Sequence, residues 1–131
     1  MVKYILLVDV NENQHIFFQH VIETVSHRFR LLSAYDGQSG LRIFRKVRPA
    51  CVFVNFNLND TSGLACLNKM RSLKGADKLP LYLFSSVYNI QLASIAKLAS
   101  GYFSMDSAVN SLRNALIQIL NTPQSQSMPG V

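Results

Sequence analysis

The chain is poor in the residues that carry most enzyme chemistry. It has two cysteines, Cys51 and Cys66, without C-x-x-C spacing. That excludes a disulfide framework and a thiolate metal knuckle, and marks both as reduced, buried packing residues of a cytosolic protein. No apolar run approaches the ~18 residues of a membrane span, and the apolar start Met1–Val10 is interrupted by Lys3 and Asp9, unlike a signal peptide. G-x-G-x-x-G, G-x-x-x-x-G-K-[ST] and G-x-S-x-G are all missing. His15, His20 and His27 lie in or just after one helical segment, away from metal-ligand spacing with carboxylates, and are expected at exposed or boundary positions. Ser85 has no histidine placed to activate it, which argues against a nucleophilic hydrolase.

What remains is a globular composition. Of 131 residues 49% are apolar and 15% charged, so one domain can bury roughly two-thirds of its unfolded surface without disulfide or metal. The net charge is +6, with one basic group at Arg42, Arg45, Lys46 and Arg48 and another at Lys69, Arg71, Lys74 and Lys78. Such clusters can hold phosphate backbones. No aromatic residues interleave with them as a single-strand surface requires, so nucleic acid is not the expected partner.

Short apolar strands alternate with longer segments of helical period. Tyr4–Val8 reads as a strand buried on both faces. In "NENQHIFFQHVIETV", Phe18, Val21, Ile22 and Val25 follow the period of an amphipathic helix. Leu31–Tyr35 is a second strand, and a helix from Ser39 to Lys46 runs up to Arg48-Pro49. Residues 51–55 form the third strand. Thr61-Ser62-Gly63 opens a helix through Arg71, with Leu64, Leu67 and Met70 inward. "LPLYLFSS" is the fourth strand, with its proline at the start. Leu92, Ile95, Ala96 and Ala99 mark a fourth helix, "GYFSM" a fifth strand, and Leu112, Leu116 and Ile119 the last helix. Residues 1–121 are therefore one domain, and 122–131 a polar tail or linker stub.

Five strand–helix units with short, right-handed crossovers predict a flavodoxin-like, doubly wound α/β sandwich: five parallel strands with helices on both faces. A site in such a sheet lies beyond the carboxyl ends of the strands, where strand order reverses. That selects Asp9 to Glu12, Asn55 to Asp60, Ser85-Ser86 and Met105-Asp106. Asn57 and Asn59 are expected to form turns through side-chain bonds to the backbone.

"YILLVDVNENQ", "RPACVFVNFNLNDTSGL", "LPLYLFSS" and "ASGYFSMD", in this order and spacing, resemble the receiver domain of two-component response regulators over residues 3 to about 120. The resemblance implies strand order 2-1-3-4-5. It places Asp9 at the first of the two acids that help to hold Mg²⁺, Ser85 at the hydroxyl position, and Tyr102 at the aromatic switch. It also places Asn55 where the family has its phosphoacceptor aspartate, Val10 at the second acid, Met105 at the lysine and Asp106 at the proline. Phosphoryl transfer to a carboxylate needs a carboxylate nucleophile and a divalent cation. An amide supplies neither nucleophile nor charge, so aspartyl phosphorylation is expected to fail and no cofactor is expected. Asp9 and Glu12 are the carboxylates through which weak Mg²⁺ binding would enter. Removing acids and lysine together avoids stranding one buried charge, and Met105 and Val10 are expected to fill the space.

The reading is a degenerate receiver, not an enzyme: a cytoplasmic signalling module working by protein–protein contact. Its expected partner is a signalling protein or a second copy, met through the face of the fourth helix, fifth strand and fifth helix. Ile90, Leu98 and Tyr102 are the candidate patch there, and Ser85 and Tyr102 the switch-like pair. The alternatives are a receiver that accepts phosphoryl groups at another acid such as Asp9, and a nucleic-acid-binding α/β domain using the basic clusters.

Overall fold

The computed structural model describes residues 1–122; residues 123–131 of the expected tail lie outside the described residues. Strands β1 (Lys3–Val8), β2 (Phe29–Ala34), β3 (Cys51–Asn55), β4 (Leu81–Ser85) and β5 (Gly101–Ser104) pair in parallel in the order β2-β1-β3-β4-β5. Helices α1 (Glu12–Val25), α2 (Gly37–Val47), α3 (Gly63–Ser72), α4 (Ile90–Ile95) and α5 (Ala108–Asn121) alternate with them, and a 3₁₀ turn at Met105–Ser107 leads into α5. This is the expected doubly wound, flavodoxin-like sheet. Strand order reverses between β1 and β3, so the crevice opens beyond Val8 and Asn55.

Alternate residues of the strands feed two cores. Ile5, Leu7, Phe53, Phe84 and Phe103 pack against Phe18 and Ile22 of α1 and Leu112 and Leu116 of α5. Leu6, Val8, Val52, Val54, Leu81 and Leu83 pack against Phe44 of α2 and Leu67 and Met70 of α3. The two-sided burial explains the unbroken apolar runs of β1 and β3.

Several boundaries differ from the sequence reading. The Lys3 N–H donates to the Arg28 carbonyl at 2.8 Å, which extends the β1–β2 ladder, and β2 begins at the buried Phe29, not Leu31. Asp36 caps α2 by accepting from the Ser39 N–H, so that helix begins at Gly37. Ser62 caps α3 through the Ala65 N–H. The largest difference is α4, which stops at Ile95 and not at Ala99. Arg71 donates to the Leu98 carbonyl and the Ser100 hydroxyl, and Ser100 Oγ accepts from the Leu81 N–H. Those bonds hold residues 98–100 in a non-helical path into β5. Strand β5 ends at Ser104, with Met105 already in the 3₁₀ turn.

Candidate functional site

Asp9 and Asn55 end neighbouring strands, and both are buried. The Asn55 Nδ2 donates to Asp9 Oδ2 at 2.9 Å, and the Asn11 N–H donates to Asp9 Oδ1 at 2.8 Å. Both oxygens of the carboxylate are thus engaged by neutral donors. Asn55 Oδ1 turns the other way and accepts from the Asn57 N–H at 2.9 Å. The side-chain turn bond expected of Asn57 is therefore made by Asn55, with Asn57 supplying backbone to an antiparallel bridge with Ser62. Glycine is required where α3 starts behind this corner: a Cβ on Gly63 would sit 2.0 Å from the Asn55 carbonyl oxygen.

The hydroxyl pair from β4 and β5 is directly bonded. Ser85 Oγ lies 2.5 Å from Tyr102 Oη and 2.7 Å from the Val87 carbonyl oxygen. Tyr102 Oη also accepts from the Asn89 N–H at 2.9 Å, and its ring lies 5.4 Å from that of Tyr88. Asn89 is the N-cap of α4, so the tyrosine ties the β4–α4 loop to β5. Phe56, Asn57, Ser85, Ser86, Val87, Asn89 and Leu92 line an open groove of about 300 Å³ between the strand tips.

Val10 is an exposed residue at the start of the β1–α1 loop, and Met105 packs partly buried on the α1–α5 core. Ser104 Oγ is hydrogen-bonded to Asp106 Oδ1, which keeps that acid in its own turn. Glu12 accepts from the Tyr35 hydroxyl at 2.8 Å, and this bond raises the tyrosine's pKa. Among the described residues no three His, Cys, Asp or Glu side chains converge as a cation set.

His15 is a correction: it is buried, not exposed or at a boundary. Its Nε2 lies 2.8 Å from the Asp9 carbonyl oxygen, and since a carbonyl only accepts, Nε2 carries the proton. Nδ1 meets Ser33 Oγ at 2.7 Å, so the ring pins the Asp9 backbone to β2. The pairing of a helical histidine with a strand serine eighteen residues away has no local sequence signal. Asp60, the last residue of the selected Asn55–Asp60 stretch, reaches across to the start of α2. It accepts from the Gly37 and Gln38 N–H groups, both at 2.9 Å, and these bonds hold its pKa below the usual carboxylate range.

Both cysteines are buried and free. Burial pushes the Cys51 thiol far up and the Cys66 thiol up to about 11.

No family model matches the sequence, and no curated protein matches it. Solved structures do match. The phosphorylated cyanobacterial phytochrome response regulator RcpA superposes with a TM-score of 0.82 at 17% identity, over 95% of this chain and 98% of that one. A CheY-like receiver domain from Methylobacillus flagellatus gives 0.78 at 23% identity, over 91% and 99%. A LuxR-family two-component response regulator from Aurantimonas gives 0.79 at 24% identity, over 92% and 86%. The fold is that of response-regulator receiver domains.

Proposed function

We propose that the chain is a receiver-type signalling module of a two-component system that works by protein–protein contact and takes no phosphoryl group. The observation that carries this reading is the Asn55–Asp9 hydrogen bond. In a phosphate-accepting site the tip of β3 must offer a carboxylate oxygen to phosphorus, and a cation must neutralise the phosphoryl oxygens. Here β3 ends in an amide, and its N–H occupies one oxygen of the neighbouring acid. Magnesium does not fit these residues: it favours carboxylates with free oxygens, and Asp9 is a single acid with both oxygens bonded. The same bonds and full burial count against Asp9 as a substitute acceptor.

The Ser85–Tyr102–Asn89 bonds support a face held in one state without phosphate. Ile90, 75% exposed, opens α4, whereas Leu98, 50% exposed, lies three residues past its end, in the loop into β5 that carries the half-buried Tyr102, not on the helix as expected. Such a patch suits a signalling protein or a second copy. Incubation with acetyl phosphate and Mg²⁺, followed by intact-mass measurement, tests the reading. No adduct is expected; a stoichiometric phosphoryl adduct on Asp9 or any other carboxylate refutes it.

A further inference from the structure

We propose that the amino-terminal edge of the sheet is a docking surface for the phosphate backbone of duplex nucleic acid. Every strand is preceded or opened by a cation at that edge. In sheet order these are Arg28 just before β2, Lys3 opening β1, Arg48 before β3, Lys78 before β4 and Lys97 before β5. Arg28, Arg48, Lys78 and Lys97 are exposed and Lys3 is partly so. The five strand starts, ~4.8 Å apart, span about 19 Å, the axial length of five to six base pairs at ~3.4 Å each.

The row is anchored. The Lys3 N–H bond to the Arg28 carbonyl fixes its first two members side by side. Arg48 sits at φ 54°, with its guanidinium carbon 5.3 Å over the Phe44 ring. Its Nη1 lies 3.7 Å from where a Cβ on Gly75 would be, so it closes against the loop that carries exposed Lys74. Most acids lie away from this edge. Asp9, Glu12, Asp36, Asp60 and Asp106, five of the seven, follow strands at the opposite end; Asp77, beside Lys78, and Glu23, near the end of α1, are the two acids toward the basic edge.

The chemistry favours a duplex over other anions. Protein interfaces are depleted in Lys and centred on buried aromatic anchors. Single-strand sites stack successive bases on several rings, whereas the exposed ring next to Lys3 is Tyr4 alone. Cations gathered along one sheet edge suit a backbone read by charge.

The test is fluorescence anisotropy with a random-sequence 20-base-pair DNA duplex between 50 and 200 mM salt. Five phosphate contacts predict a log–log slope of about −4.5, a loss of roughly 500-fold over that range. The triple variant Arg28→Glu, Lys78→Glu, Lys97→Glu should lose at least ~30-fold more affinity than the charge-matched control Arg42→Glu, Lys69→Glu, Arg113→Glu. The milder pair Lys78→Gln, Lys97→Gln should flatten the slope by about 1.8, and guards against misfolding of the triple variant. Equal losses in edge variant and control would overturn the proposal by showing that net charge alone binds. So would polyglutamate or anionic phospholipid vesicles displacing the duplex at equal charge, which would point to an acidic protein or a membrane.

Discussion

At the scale of single residues the site turns on whether the tip of β3 is charged. Asn55 gives Asp9 a donor where an aspartate would give it a second negative charge. Asn55→Asp should therefore lower stability by about 1–3 kcal/mol at neutral pH, since it removes a buried hydrogen bond and sets two carboxylates together. Like charges raise both pKa values, so the deficit should shrink as pH falls and the acids protonate; melting the variant across pH checks this. Asp60 has the opposite sign. Its folded-state pKa is depressed by the Gly37 and Gln38 N–H groups, so its contribution is full above its ordinary value of 3.8 and lost as pH falls through the lower folded value. Asp60→Asn, which replaces one accepting oxygen by an amide donor at this exposed site, should lower stability at pH 7 and flatten the acid limb of the stability curve. The thiols of Cys51 and Cys66 should resist a disulfide reagent at pH 8 in the native state and both react after denaturation. Asp9, Asn55, Ser85 and Tyr102 were legible because each ends a strand of clear pattern. His15 was not legible because its partners come from β2 and from a carbonyl.

Among the elements, β1, β3 and α1 follow directly from apolar period, and Phe18, Val21 and Ile22 are buried as that period requires. The fourth helix misleads. Leu92, Ile95, Ala96 and Ala99 keep a helical spacing, yet Ile95 is 54% exposed and the helix has six residues. Arg71, from α3, captures the following backbone, and tertiary bonds override a weak local preference. The short α4 then depends on its first turn, which Tyr102 holds through the Asn89 N–H. Tyr102→Phe should cost about 1 kcal/mol and speed amide exchange across residues 89–92 relative to α3. Unchanged exchange there would show that the tyrosine does not hold the loop.

For the molecule as a whole, alternating strands and helices with short links left one topology, and the sheet order followed. Parallel topology also does something invisible in the linear sequence. It gathers residues 3, 28, 48, 78 and 97 along one edge, while the sequence shows them as separate charges or as parts of two clusters. Five of the seven acids consequently lie at the opposite end of the sheet.

The most direct test of the central claim, that Asn55 and the Asn11 amide keep Asp9 from any cation or phosphoryl group, is a ¹⁵N–¹H spectrum titrated with Mg²⁺ and beryllofluoride. Resonances of residues 9–11, 55–57, 85–89 and 102 should stay in place up to millimolar Mg²⁺ with the mimic present. Saturable shifts at residues 9 and 55 that spread to Tyr102 would contradict it.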